Sequence, residues 1–157
     1  TVEDLRKKFI PSIKDERSLS PIYRILGFAS LKTGEKERAI QDLRKACKFS
    51  DGKSLYLSDL GYALAKTGNR EEASKILKEL IDRHKKGKSL GQHVAAVYAG
   101  LAEQDKAMMD EAFKYLKEDF NKQSGLLTEI TFRPGFEELR RDSRYTDLIQ
   151  RMRLLKK

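Results

Sequence analysis

Two Gly-Lys-Ser triplets, Gly52-Lys53-Ser54 and Gly87-Lys88-Ser89, most invite a chemical reading in this 157-residue chain. A glycine-rich loop running into a helix can cradle phosphate with its backbone N–H groups. That chemistry also needs a glycine five residues before the glycine of the triplet, and a preceding strand. Cys47 and Asp82 hold those positions, and both lie in segments of helical character, so the triplets read as inter-helix turns with a serine near each helix start. His84 and His93 are separated by a turn and have no cysteine or acidic partner at ligand spacing. His84 continues the stripe Leu77, Leu80, Ile81 and reads as a packing residue at a helix end. Cys47, the single cysteine, lies on an apolar stripe as a small buried thiol and allows no internal disulfide, in keeping with a reducing compartment. Met108 and Met109 read as packing residues. Glu71-Glu72 and Glu137-Glu138 open helices, where carboxylates complement the helix dipole, and no acid–base pair emerges. The expectation is a chain without catalytic residues, cofactor or metal.

A different set suits recognition rather than reaction. Arg24, Phe28, Ser58, Asp59, Tyr62 and Lys66, with Gln92 and His93, put aromatic and cationic groups at positions not claimed by helix pairing. On one curved wall they would suit a peptide carrying an apolar anchor and an acid, through burial and charge-assisted hydrogen bonds. The opposing reading is that Phe28 and Tyr62 simply pack between repeats. The formal net charge of +9 raises a second binding chemistry, attraction to nucleic acid or an anionic surface. Acids and bases alternate through most of the chain, as in Glu35-Lys36-Glu37-Arg38, so most of that charge reads as solvated helix faces. The C-terminal portion is the most basic, and Arg140, Arg141, Arg144, Arg151 and Arg153 are its candidate anion-binding residues.

The elements that must position these residues repeat. Leu26-Gly27, Thr33-Gly34, Ala39 and Leu43 recur 34 residues later as Leu60-Gly61, Thr67-Gly68, Ala73 and Leu77. A helix pair of that period cannot bury its own apolar face and stacks on its neighbours. Ser20-Pro21 opens the first helix, with the serine as its cap, and Thr33-Gly34 ends it. The partner helix, about 35 to 49, has a dry stripe of Ala39, Ile40, Leu43, Ala46 and Cys47. The pattern returns from Ser54 to about Lys86, where the small Gly61 and Ala73 allow close helix approach. A third, degenerate unit has helices from about 89 to 103 and up to about 122. Its turn lacks glycine, and Asp110 to Phe113 lie about five residues later than the period requires, so an insertion is expected.

Beyond it, Gly125 and Arg133-Pro134-Gly135 bracket Leu126 to Ile130, and Asp142-Ser143 caps a last helix bearing Tyr145, Leu148, Ile149 and Met152. A solenoid needs such a terminal cap. Val2, Leu5 and Phe9 form a short amphipathic stripe at the start, a cap or the remnant of an upstream repeat. The expected organisation is 1–19, then an array in units 20–53, 54–87 and 88–122, then a closing segment 123–157. No run approaches the roughly 18 apolar residues of a membrane span, and the opening lacks the order of a signal peptide. A cytoplasmic setting is expected, and the opening without Met suggests a segment of a longer chain.

Residues 20 to 86 resemble tetratricopeptide repeats, because small, large and glycine positions coincide twice in register. The run Phe132-Arg133-Pro134-Gly135-Phe136-Glu137-Glu138-Leu139-Arg140-Arg141-Asp142-Ser143-Arg144-Tyr145 looks like the segment that closes such arrays in bacterial multidomain regulators, with Ser143 where proline is common. The resemblance implies an all-α solenoid of antiparallel helix pairs, about three repeats with a C-terminal helical cap. It also implies a non-enzymatic interaction module whose concave groove takes a peptide, helix or partner domain. Phe28 and Asp59 stand where the family's chaperone-tail binders would place asparagine, which disfavours that ligand. The basic C-terminal set supplies the alternative, a nucleic-acid or anionic-surface module. Self-association through an exposed array end is a further expectation.

Overall fold

The computed structural model describes the backbone of residues 1–122 and 133–154, and the side chains of all of these but Val2, Leu5, Gln104 and 152–154. The expected element at Leu126 to Ile130, and the side chains of Val2, Leu5, Met152 and Arg153, lie outside what is described. Among the described residues the chain is all-α, with nine helices and no strand.

Three antiparallel pairs form the array: α2 (Leu19–Lys32) with α3 (Lys36–Phe49), α4 (Ser54–Lys66) with α5 (Arg70–Lys85), and α6 (Gly91–Leu101) with α7 (Lys106–Asn121). α2, α4 and α6 make an inner layer and α3, α5 and α7 an outer one, because each inner helix is apolar on several sides and each outer helix on one stripe. Leu43, Leu60, Leu64, Leu77, Leu80, Val97 and Leu101 join the pairs in one core.

The first two intra-repeat turns close on glycine. Gly34 and Gly68 take φ of 81° and 93°, and the next amides, of Glu35 and Asn69, donate back to Ser30 and Leu64 carbonyls at 2.9 Å each. The third turn manages without glycine: Ala102–Gln104 tightens into a 3-10 turn, and Asp105 caps α7 by accepting from the Ala107 amide at 2.9 Å.

Two sequence expectations need correction. The outer helix of the third unit lags by two residues rather than five, since α7 begins at Lys106, 36 positions after α5 begins at Arg70, and the capping residues Asn69 and Asp105 keep the same spacing. The extra length goes into α5, which runs 16 residues against 14 for α3. Ser20 does not cap α2. A preceding 3-10 turn, Glu16–Ser18, feeds straight into the helix, so Ser20 lies inside the first turn with its hydroxyl buried and unpartnered among the described residues.

α1 (Val2–Phe9) is held to the array by buried Arg6, which reaches Asp42 of α3 and donates to Ser30 Oγ of α2 at 3.1 Å. At the other end α8 (Glu137–Arg141) and α9 (Ser143–Leu154) fold back, so that Phe136, Leu139, Tyr145 and Leu148 close over Ala95, Ala99, Phe113 and Leu116.

Candidate functional site

The inner layer presents its wall from Arg24 and Phe28 on α2, through Ser58, Asp59, Tyr62 and Lys66 on α4, to Gln92 and His93 at the start of α6. Helical spacing of three to four residues brings the α4 members onto one side, and side-by-side stacking aligns the three helices. The sequence-selected residues are therefore neighbours. The wall is not bare, however: residues 133–138, the strap, run across its α4–α6 half.

Arg133 lies 3% exposed at the centre of this contact. Its guanidinium donates to Asp59 Oδ1 at 3.0 and 3.3 Å, to Ser58 Oγ, and to the Gln92 carbonyl at 3.5 Å. Asp59 is 0% exposed, and its second oxygen accepts from Nε of Arg24. One buried carboxylate is thus divided between an arginine of the array and an arginine of the strap. The Arg133 guanidinium also lies 5.2 Å from the centre of the Phe136 ring. Gly135 passes over the Tyr62 ring, where an added Cβ would stand 3.4 Å from Cγ. Farther along, the Tyr62 hydroxyl donates to Glu138 at 3.0 Å, and Lys66 pairs with Glu138 and Glu103 at 2.9 Å each. Lys32 pairs with Glu137 at 3.5 Å, and Arg140 holds the Arg133 carbonyl at 2.9 Å.

These contacts set the local electrostatics. Burial pushes the Tyr62 phenol well above its ordinary range, and the Glu138 charge pushes the same way. Burial opposes the charge on Lys66, but its bonds to Glu103 and Glu138 outweigh it and hold its pKa above the usual lysine value. His93 goes down to about 3, chiefly through burial and secondarily through the Arg133 and Arg24 charges. Its neutral ring accepts at Nδ1 from Ser89 Oγ at 3.1 Å and from the Leu90 amide at 3.4 Å.

The His93 shift has a definite sign in stability. An unfolded histidine takes a proton near pH 6.5 and the folded one resists until about 3, so stability is full above 6.5 and falls as the pH drops through that window. The expected loss is about 1.4 kcal/mol per pH unit between 6.5 and 5. Urea midpoints at pH 7 and pH 5 measure it, and His93→Gln should remove most of the difference. An equal pH response in that variant would exclude His93 as its source.

Phe28 and Tyr62 do pack against each other, with ring centroids 6.3 Å apart and planes tilted by 41°. Both are buried, as are Ser58, Asp59, Gln92 and His93, so these six are not an open wall. What stays open lies toward α2: a cleft of about 210 Å³ lined by Phe28, Leu31, Lys32, Tyr62, Lys66 and Pro134, with Lys36 and Glu137 at its edges. Sequence reasoning missed Lys32, Lys36, Arg133 and Glu138. An aspartate in the middle of apolar α4 calls for a cation, but nothing in the sequence names Arg133, 74 residues away, as that cation.

Of the basic C-terminal set, Arg144 is committed to Asp110 and Asp142 at 2.6 and 2.7 Å and lies over the Phe113 ring, while Arg141 and Arg151 are exposed. The Gly-Lys-Ser triplets sit in inter-repeat turns, with Gly52 and Gly87 at φ of 67° and 68°. His84 packs edge-on against Tyr115 at 5.3 Å, with Nδ1 2.9 Å from the Ser89 carbonyl. Burial pushes the Cys47 thiol up to about 12.

A tetratricopeptide repeat family model matches residues 16–125, a span that takes in all three helix pairs. The chain belongs to the tetratricopeptide repeat family. Comparison with curated proteins and with solved structures gave no match. Tetratricopeptide repeats typically act as non-catalytic scaffolds for protein–protein interaction. Among the described residues of this one, no helix is long and apolar enough to cross a membrane.

Proposed function

We propose that this tetratricopeptide chain is a non-enzymatic interaction module that takes its partner in the open, α2-side half of the concave groove. The observation that carries this reading is the cleft itself, with an apolar floor of Phe28, Leu31 and Tyr62 beside three lysines, Lys32, Lys36 and Lys66. An extended segment with one apolar side chain and a nearby carboxylate fits that chemistry: the floor excludes water from the anchor, and the lysines supply charge-assisted bonds. Lys36 is exposed and has no ion-pair partner among the described residues, so it can meet an incoming acid without first breaking a bond. The closing motif at Phe132 to Tyr145 supports placing the module in a larger regulatory protein of the bacterial multidomain kind, with a cytoplasmic setting.

The test is affinity capture with the wild-type chain beside the double variant Lys32→Gln/Lys36→Gln and the control Lys75→Gln, which lies exposed on α5. Partners held by the wild type and the control should weaken by about tenfold in the double variant, near 1.4 kcal/mol. Partners retained equally by all three would rule out the open cleft.

A further inference from the structure

The strap meets the same inner-layer side chains that a ligand would. Arg133 is taken by Asp59, Ser58 and Gln92, Glu138 by Tyr62 and Lys66, and Glu137 by Lys32. A segment needed only to cover the end of an array would do better with apolar residues, because a buried ion pair recovers little more than its desolvation cost. Here the cover is instead read by charge. Asp59 is the centre of that reading: Arg24 satisfies one of its oxygens, and the other faces the strap. With the strap away, that oxygen loses its guanidinium, and an incoming segment that brings another restores the charge-assisted pair. Pro134 and Glu137 also form the wall between the strap and the open cleft, so a ligand in the cleft abuts the strap directly.

We propose that residues 133–138 are an internal ligand, and that the groove takes in their place a partner segment of the same chemistry: an arginine for Asp59, an apolar side chain three positions on, and a carboxylate two positions beyond that for Tyr62 and Lys66. The proposal rests on the groove reading above and extends it from the α2–α4 half to the α4–α6 half. Occupancy follows from competition. The apparent affinity for an external segment is the intrinsic one reduced by the small fraction of molecules whose strap is out. Weakening the strap raises that fraction and therefore tightens external binding. Phe136 and Leu139 stay buried in the closing core, which keeps the strap home in the absence of a competitor.

The experiment uses the full chain and a fluorescein-labelled peptide copying residues 131–141, followed by anisotropy. Arg133→Ala should bind the peptide about tenfold more tightly than the wild type, by release of the internal competitor. A peptide with alanine in place of its own arginine should bind Arg133→Ala about tenfold more weakly than the arginine peptide does, because Asp59 then finds no guanidinium. Glu138→Gln, which removes the other polar anchor and leaves the arginine in place, should give a smaller gain in the same direction and serves if Arg133→Ala does not fold. Equal affinity of wild type and a folded strap variant for the arginine peptide, or equal affinity of Arg133→Ala for the arginine and alanine peptides, would overturn the proposal. Partner capture that still depends on Lys32 and Lys36 alongside that result would leave the open-cleft function standing.

Discussion

Asp59→Ala should lower the stability of the folded chain by about 3–5 kcal/mol, the range seen when one member of a buried ion pair is removed. Asp59 is fully buried, and both of its oxygens are used. Its loss leaves the Arg133 guanidinium, 3% exposed, with only the Ser58 hydroxyl and the Gln92 carbonyl. Arg24 is partly exposed and can turn to water, so most of the cost falls on Arg133. For a chain of this size the change corresponds to a fall in Tm on the order of 10 °C. Because the strap is an edge element, part of the cost should appear as its detachment, a separate early transition before the array unfolds. The partner variant Arg133→Met isolates the coupling: the double variant should be more stable than the sum of the two single losses predicts. A melt of Asp59→Ala within 1 °C or so of wild type would mean that the carboxylate does not hold the strap.

Gly61→Leu should cost about 1–3 kcal/mol by overpacking. A Cβ at Gly61 would stand 2.8 Å from Val97 Cγ2 and 2.9 Å from Ile76 Cγ2, so even the first added carbon meets branched side chains from two directions. Ile76 belongs to α5 in the same repeat and Val97 to α6 in the next, so relief on one side tightens the other. Displacing α6 also shifts Gln92, whose carbonyl accepts from Arg133 of the strap, and peptide-binding behaviour should change with stability. Gly34 makes a useful contrast. Nothing lies within 4 Å of its would-be Cβ, and a substitution there strains only the backbone at φ of 81°. A thermal melt of Gly61→Leu that superimposes on wild type would show that the inter-helix contact at α4 is looser than these distances require.

The residues differ in how plainly their sequence context announced them. Gly34 and Gly68 were readable because a helix end needs a left-handed residue wherever it occurs, a local requirement. Leu43 and Leu77 were readable because a period of 3.6 exposes a buried stripe in any one helix. The lag of the third unit was read as five residues because Asp110 to Phe113 was matched by residue type. The actual offset of two emerges from where the folded helices begin, with Asn69 capping α5 and Asp105 capping α7. Ser20 looked like a cap by type and position, and fails as one because the turn before it already continues the helix.

By itself the sequence determined the all-α class, the two regular helix pairs and the several-sided apolar character that puts α2 and α4 in the inner layer. These rest on short-range periodicity and backbone preferences, which act within about 40 residues. Only the tertiary structure decided that the groove is half filled by its own chain. The Arg133–Asp59 pair spans 74 residues, and no local rule links a break at Arg133-Pro134-Gly135 to an aspartate on α4. The same fold-back separates Tyr62 and Lys66, already engaged by Glu138, from the cleft beside Lys32 and Lys36 that remains open. Burial is a property of everything packed around a residue, so Asp59 reads as a polar groove position in the sequence and as a fully desolvated charge in the folded chain.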